Sequence, residues 1–259
     1  MTLAVTSWGS GEPLAMLHGF TGACSSFDHL RSALGTRYHV TAPDLPGHGS
    51  SAPATSWSAA VAELAQSLPP KALFLAGYSM GARLALALAL RWPWRVRALV
   101  LESGSPGIAD AVERANRRSE DERLGDLVLA EGVPAFVARW ELHPTLTTLR
   151  ELPAPVAASL RERRLSNSAA GLASALRHLG AGAQPSLWDE LSRLRCPVLL
   201  LAGERDAKFV DVARLMARAI PGARLSLVAS SGHAPHLEAP EQYASALTSF
   251  FKQHGGDSR

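Results

Sequence analysis

The sequence predicts an α/β fold with a mostly parallel central sheet, flanking helices and an inserted helical cap. At both ends of the chain, short apolar segments alternate with helix-forming stretches, a pattern typical of parallel strands covered by helices. Between residues 105 and 195 the alternation stops, and only polar and helical patterns remain. This stretch is too long for a simple crossover, so we interpret it as a cap over the strand ends.

Length and composition favour one compact unit with an insertion. The chain has 259 residues, of which 47% are hydrophobic, enough to bury one sizeable core. We therefore predict a first core segment over 1–104, a cap over 105–195 and a second core segment over 196–259. No apolar run is long enough to cross a bilayer, and the first residues lack the pattern of a signal peptide. With two distant cysteines, Cys24 and Cys196, the sequence predicts a cytoplasmic protein without a metal site.

The charge pattern indicates a small anionic partner. The net charge is +3, and the basic residues are interleaved with acids, as in Asp121-Glu122-Arg123. A nucleic-acid surface needs a continuous basic stripe, so this pattern favours small anions bound by individual arginines. We expect a small-molecule substrate and neither a nucleic acid nor a membrane as partner; the oligomeric state does not follow from the sequence.

The order of elements follows from apolar runs bounded by turn residues and from helix stops such as Pro69-Pro70. In the first segment we predict strands over 3–6, 14–17, 38–42, 72–76 and 96–101, and helices over 25–34, 57–68 and 84–90. In the cap we predict helices over 109–130, 134–140, 155–165 and 171–179. The second segment carries strands over 197–202 and 223–228, helices over 210–219 and 240–254, and a frayed tail over 255–259.

The segment Gly77-Tyr78-Ser79-Met80-Gly81 joins a predicted strand to a predicted helix. A Gly-x-Ser-x-Gly sequence in this position is typical of a nucleophile elbow, a strained turn that exposes the serine hydroxyl. Glycines are needed there because backbone segments approach too closely for a Cβ. The alternative is an ordinary turn with a surface serine. We predict that Ser79 is the nucleophile or base of an active site.

Two backbone amides are candidates for an oxyanion hole. The second strand runs into His18-Gly19-Phe20, and a loop of this kind can aim one N–H at a reacting oxygen. The other N–H comes from the residue after the serine. We therefore predict the amides of Phe20 and Met80 as donors, with a plain turn as the alternative for the loop.

Arg83 follows Ser79 by one helical turn and faces the same side. A cation in the first turn of a helix opposes the helix dipole, and its neighbours in sequence are apolar. Something anionic should therefore meet it. From this residue alone, a structural carboxylate and a substrate remain equal alternatives.

Asp206 and His233 each follow a predicted strand, in the chain order Ser79…Asp206…His233 of a serine triad on this type of sheet. His233 would accept the serine proton, and Asp206 would orient the ring and stabilise its charged form. Other candidates are weaker: we interpret His236 as a surface or packing residue, Asp211 as part of a helix, and Asp44 and His48 as structural parts of a rigid loop.

More specific motifs resemble one family. They are Glu102-Ser-Gly-Ser-Pro-Gly107, the spaced arginines of 113–123, Arg164-Leu-Ser-Asn167, Gln184-Pro-Ser-Leu-Trp188 and Gly203-Glu-Arg-Asp-Ala-Lys-Phe209. Over essentially its whole length, cap included, the chain resembles the 2-succinyl-6-hydroxy-2,4-cyclohexadiene-1-carboxylate synthases of menaquinone biosynthesis. These are lyases with an α/β-hydrolase fold, so the resemblance implies that fold here.

The resemblance also implies the reaction. The family removes a ring proton from 2-succinyl-5-enolpyruvyl-6-hydroxy-3-cyclohexene-1-carboxylate and eliminates pyruvate, without a cofactor or metal. Ser79, driven by His233 and Asp206, would be the base, and the oxyanion hole would hold the enolate. Matching positions imply that Arg83, Arg117 and Arg164 bind the substrate carboxylates and that Tyr78 and Trp140 line the pocket.

Two positions depart from the family pattern. Ala82 stands where the family usually has glycine, and Glu141 follows Trp140 where the family usually has tyrosine. A carboxylate in an anion pocket would repel the substrate. Either Glu141 points away from the pocket, or the substrate differs.

Two other functions fit parts of the pattern. A carboxylesterase or carbon–carbon bond hydrolase would use the same triad, but an apolar ester does not require the arginines or the 184–188 stretch. A non-catalytic small-molecule receptor would have no use for three intact triad positions.

Overall fold

The computed structural model describes residues 3–255 and contains a seven-stranded sheet. The strands are β1 (Val5–Trp8), β2 (Glu12–Leu17), β3 (Tyr38–Pro43), β4 (Leu73–Tyr78), β5 (Val96–Glu102), β6 (Val198–Gly203) and β7 (Arg224–Val228). Their order across the sheet is β1-β3-β2-β4-β5-β6-β7. Only β1 pairs antiparallel, with β3. The predicted tail lies, from residue 256 onwards, outside the described residues.

Helices cover both faces of the sheet. They are α1 (Arg31–Leu34), α2 (Trp57–Ser67), α3 (Met80–Arg91), α4 (Ala111–Trp140), α5 (Ala154–Leu165), α6 (Ala169–Leu179), α7 (Ala207–Ala219), α8 (Pro235–Glu238) and α9 (Pro240–Lys252). Side chains alternate along β4: Leu75 packs into the core under α2, α3 and α7, and Phe74 into the core under α1 and α9. A sheet buried on both faces explains why its strands read as continuous apolar runs.

The predicted fold class is confirmed, and the predicted strands and helices lie close to where the sequence placed them. Where a helix was predicted over 25–34, Cys24–Leu30 forms a 3-10 segment and only Arg31–Leu34 is α-helical. Helix α3 begins at Met80, four residues before its predicted start. Helix α7 begins at Ala207, three residues before its predicted start. The reason is Asp206, whose Oδ1 accepts a hydrogen bond from the amide of Phe209 at 3.3 Å and caps the helix. The short α8 and the 3-10 segments Pro93–Arg95, Pro144–Glu151 and Trp188–Arg193 were not predicted.

Between β5 and β6 the described chain is helical. Helix α4 is broken at Gly132, where φ is +81°, which corresponds to the predicted gap between two helices. Helices α4 and α6 pack on each other through a small apolar core that includes Val128, Phe136, Leu172 and Leu176. The division of the chain at residues 104 and 195 stays a prediction.

Among the described residues, no helix is both long and apolar enough to cross a membrane.

Candidate active site

Ser79 lies in a sharp turn between β4 and α3. Its φ of +51° and ψ of −108° belong to a region that residues with a Cβ rarely occupy. Glycines make the turn possible: a Cβ on Gly77 would lie 2.5 Å from the carbonyl oxygen of Gly81, and one on Gly81 would lie 2.2 Å from that of Leu17. The Ser79 amide donates to the carbonyl of Glu102 at 2.8 Å. This geometry holds the serine at the carboxyl edge of the sheet.

His233 connects Ser79 to Asp206. Its Nε2 lies 3.2 Å from Oγ of Ser79, and its Nδ1 lies 2.6 Å from Oδ2 of Asp206. Ser79 follows β4, Asp206 follows β6 and His233 follows β7, so the three residues meet at one edge of the sheet. When Nδ1 carries the proton and donates to the carboxylate, Nε2 is free to accept the serine proton. The arrangement can therefore make Ser79 basic.

The two predicted oxyanion donors belong to segments next to Ser79. Met80 is the first residue of α3, so its amide has no acceptor inside the helix. Phe20 follows Gly19, and a Cβ on Gly19 would lie 3.5 Å from Cβ of Ser79 and 2.6 Å from the Tyr78 ring. The loop before Phe20 thus packs directly against the serine.

A cavity of about 760 Å³ opens above Ser79, between the edge of the sheet and the helical segment. Its volume is within the usual range for small-molecule sites. It brings together most of the predicted site residues: Phe20, Tyr78, Ser79, Arg83, Arg117, Trp140, Arg164 and His233. Met80 and Asp206 do not line it, because the Met80 side chain is buried in the core and Asp206 lies behind His233.

The predicted aromatic residues surround the reacting edge. Trp140 meets the ring of Phe20 edge-on, with ring centres 5.1 Å apart. The Tyr78 ring lies 5.5 Å from that of His233, and burial raises the pKa of Tyr78. Tyr78 therefore stays neutral and keeps a proton to donate.

Arg83 has neutral hydrogen-bond partners. Its Nη1 donates to the carbonyl of Leu179 at 2.9 Å and to Oε1 of Gln184 at 3.1 Å. Among the described residues it forms no ion pair with a carboxylate. Burial and the neighbouring charge of Arg117 lower the pKa of Arg83 to about 10. The nearby carboxylate of Asp121 acts in the opposite direction and raises the pKa of Arg83, but it is paired with Arg117. Of the two expected anionic partners, a structural carboxylate in direct contact is not observed.

The other two predicted arginines carry carboxylate partners. Nε of Arg117 donates to Oδ1 of the buried Asp121 at 2.9 Å, and Asp121 also accepts the amide of Gly182 at 3.0 Å. Nη1 of Arg164 donates to Oε1 of Glu141 at 3.2 Å. Glu141 does not line the cavity of Ser79. Of the two alternatives, a Glu141 that points away from the pocket and a different substrate, the structure has the first.

Gln184 has a role that the sequence did not predict, although the residue stands in a motif of the family. It is fully buried, accepts from Arg83, and donates Nε2 to the carbonyl of Ser105 at 3.2 Å. Gln184 thus fixes the guanidinium of Arg83. Two further cations, Arg163 and Lys208, also line the cavity and were not predicted.

Several alternative candidates have structural partners. His236 is buried, so the surface interpretation was wrong and the packing interpretation was right; its Nδ1 lies 2.7 Å from Oε1 of Glu102. Asp44 accepts the amides of Cys24 and Ser50, His48 accepts that of Thr21, and Asp211 lies on α7 paired with Arg214.

The sequence matches a known family and curated proteins. Residues 14–246 match the family model described as "Alpha/beta hydrolase family". A relative from Bacillus subtilis (strain 168), with the provisional name 2-succinyl-6-hydroxy-2,4-cyclohexadiene-1-carboxylate synthase, is 36% identical over 93% of this chain and 90% of its own. A Klebsiella pneumoniae relative named 2-succinyl-6-hydroxy-2,4-cyclohexadiene-1-carboxylate synthase is 32% identical over 95% of this chain and 97% of its own.

Solved structures agree over the full described fold. The structure of MenH from S. aureus superposes with a TM-score of 0.92 at 32% identity, covering 98% of this chain and 99% of that one. A malate-bound thermophilic esterase from Thermogutta terrifontis superposes with a TM-score of 0.85 at 27% identity, covering 98% of this chain and 94% of that one. The similarity extends through the helical segment between β5 and β6.

Proposed function

This chain belongs to the α/β hydrolase family, an enzyme superfamily, and from that premise we propose that it is a 2-succinyl-6-hydroxy-2,4-cyclohexadiene-1-carboxylate synthase. Its substrate would be 2-succinyl-5-enolpyruvyl-6-hydroxy-3-cyclohexene-1-carboxylate, from which it would eliminate pyruvate in menaquinone biosynthesis. The observation that carries the proposal is Arg83. It is a cation on the cavity wall, one helical turn from Ser79, with neutral hydrogen-bond acceptors only.

In this reaction the arginines would hold the substrate by its carboxylates. Arg83 has no carboxylate of its own and would take one of them as a full ion pair. Arg117 and Arg164 approach the cavity with one edge already bound to Asp121 and Glu141, which fixes their positions. Anchoring at separate points would bring one ring C–H to face Ser79, and such positioning contributes a large part of a rate enhancement.

Ser79 would then act as a base and not as a nucleophile. Its hydroxyl passes a proton to Nε2 of His233 as its oxygen takes the ring proton, and Asp206 stabilises the imidazolium. The electron pair of the C–H bond delocalises onto the succinyl carbonyl oxygen, which the amides of Phe20 and Met80 would hold.

The second half of the reaction returns the proton. The electron pair returns from the enolate to form a double bond between C2 and C3, the ring double bond shifts from C3–C4 to C4–C5, and the bond from C5 to the enolpyruvyl oxygen breaks. The leaving oxygen takes the proton carried by His233, and the enol becomes pyruvate. The atoms balance without water.

A second candidate is ester hydrolysis, favoured by the similarity to a solved esterase. It would use the same triad but form an acyl-enzyme, which gives burst kinetics. The two functions are separated by supplying the enolpyruvyl cyclohexene substrate and following pyruvate, and by supplying neutral p-nitrophenyl esters. We expect efficient pyruvate release and slow ester turnover without a burst. A stoichiometric burst with no pyruvate would overturn the proposal.

A further inference from the structure

A second cavity lies in the helical segment beside the cavity of Ser79, and it opens to solvent where Leu142 is 66% exposed. Its volume is about 440 Å³, and it is bounded by the end of α4, the 3-10 segment Pro144–Glu151 and α5. The two cavities share four lining residues: Leu146, Leu149, Leu160 and Arg164. These four side chains therefore border both cavities, and Arg164 is the charged one among them.

The second cavity has an excess of positive charge. Its lining contains Arg150, Arg161 and Arg164 but one carboxylate, Glu141. The Glu141 carboxylate is shared between Arg161 and Arg164. Arg150 donates to the backbone oxygen of Glu141, at 3.5 Å. Arg150 and Arg161 are exposed and screened by water, whereas the buried Arg164 shares its one carboxylate with Arg161, so an added anion would be stabilised at Arg164.

Arg164 itself is incompletely satisfied. The residue is 6% exposed, and its buried Nε has no hydrogen-bond partner within the described residues. Buried charges are normally paired and fully hydrogen-bonded, because an uncompensated one costs free energy. Glu141, at 3.2 Å through one oxygen, supplies only part of that compensation.

The rest of the lining is apolar. Leu146, Leu149 and Leu160 form one side, and Ala157 and Ala158 form another. A cationic edge beside a small apolar volume fits a carboxylate on a short carbon chain better than it fits a phosphate or a sugar, which would bring further polar groups to be satisfied.

We propose that this second cavity is a binding site for a small monocarboxylate, which takes the place of the Glu141 carboxylate on Arg161 and Arg164. The identification of the occupant as the departing pyruvate rests on the proposed function. The binding of a short-chain carboxylate in this cavity does not depend on that function. Glu141 then neutralises Arg164 when no external carboxylate is bound. Arg164 would bind carboxylates in both cavities.

The site is tested by titrating the protein with sodium pyruvate and following backbone amide resonances. We expect two groups of amides to shift with separate dissociation constants, one around Ser79 and Arg83 and one along α5 near Ala157. Arg83→Ala should remove the first group only. Ala157 lines the second cavity and not the first, so Ala157→Phe should remove the second group only.

The matched control is Ala154→Phe, an exposed position on the same helix that lines neither cavity. It should retain both groups of shifts. Arg161→Ala, at a half-exposed side chain that carries little risk to folding, should weaken the second site by about threefold or more. Glu141→Gln should tighten it by a similar factor, because the competing charge is gone.

The outcomes separate the two proposals. If α5 amides do not shift, or shift equally in Ala157→Phe and wild type, the second site is refuted. If they shift in wild type and in Arg83→Ala while the protein releases no pyruvate from the cyclohexene substrate, the second site stands and the lyase function fails.

Discussion

Gln184 holds Arg83 in place: its Oε1 accepts from Nη1 of Arg83 at 3.1 Å while its Nε2 donates to the carbonyl of Ser105 at 3.2 Å. The carboxamide is neutral, so it positions the guanidinium without cancelling its charge. A glutamate of the same size would make a similar contact but would act as the carboxylate partner that Arg83 lacks.

Gln184→Glu is therefore expected to raise KM for the polycarboxylate substrate by about tenfold or more, since it neutralises the anchor. Gln184→Ala should lower kcat/KM by about ten- to a hundredfold, because Arg83 is no longer oriented. Steady-state kinetics of pyruvate release measures both. The exposed Gln66→Ala serves as control and should match wild type; unchanged kinetics in Gln184→Glu would mean that Arg83 does not bind substrate.

Ser79→Ala should fold normally and lose at least ~10³-fold in turnover, as removal of a triad member usually does. Its circular dichroism and melting temperature should stay close to wild type, because the alanine keeps the same backbone and Cβ. Near-full activity in the pure variant would remove Ser79 from the mechanism.

Arg117→Ala should affect folding as well as activity. It leaves the carboxylate of Asp121, which is 1% exposed, with one amide donor at Gly182. We expect a loss of about 1–3 kcal/mol in the free energy of unfolding, measured by denaturant titration. The neighbouring exposed pair Arg118–Glu122 provides the control, and Arg118→Ala should cost less than about 0.5 kcal/mol. Equal effects would show that the buried pair is not structural.

Ala82, which departs from the family pattern, faces Gly104. A Cβ on Gly104 would lie 2.6 Å from Cβ of Ala82, so the glycine makes room for the alanine. Gly104→Ala should therefore destabilise the fold by about 1–3 kcal/mol through overpacking. Ala82→Gly alone should cost about 1 kcal/mol, because glycine disfavours the helix. In the double variant Ala82→Gly with Gly104→Ala the clash is absent, so the total loss should be smaller than the sum of the two single losses. Simple addition of the two single effects would contradict this packing relationship.

Two buried histidines make the fold sensitive to acid. Burial lowers the pKa of His18 to about 4 and that of His48 to about 3, from 6.5. Between pH 6.5 and the lowered pKa values, the unfolded chain binds protons that the folded protein does not. The free energy of unfolding is therefore highest above pH 6.5 and falls as the pH drops towards 4. Each histidine contributes a slope of about 1.4 kcal/mol per pH unit in that window.

The comparison of His48→Gln with wild type isolates one histidine. Denaturant unfolding at several pH values should show a shallower slope in the variant. His39→Gln, at an exposed position, should leave the slope unchanged. A variant slope equal to that of wild type would show that His48 is not held neutral in the folded protein.

Much of the fold and site was predictable because it rests on local patterns. The strand preceding Ser79 and the helix following it are defined by an apolar run and two glycines, and the carboxyl ends of parallel strands necessarily bring Asp206 and His233 to the same edge. The role of Gln184 was not predictable, since it depends on a contact with Arg83 a hundred residues earlier in the chain. The direction of Glu141 was equally undetermined, because it depends on where α5 places Arg161 and Arg164.

Helix α3 places the reacting hydroxyl and the first anchoring cation on one rigid body. Ser79 stands at its N-terminus and Arg83 one turn later, about 6 Å along the axis. Arg117 and Arg164 instead belong to α4 and α5, so no single element fixes their distance from Ser79. Changes to the substrate should therefore affect turnover unequally. Analogues that alter the spacing between the acidic C–H and the nearest carboxylate should be turned over more slowly. Analogues altered at the more distant carboxylates should be turned over at rates closer to that of the substrate.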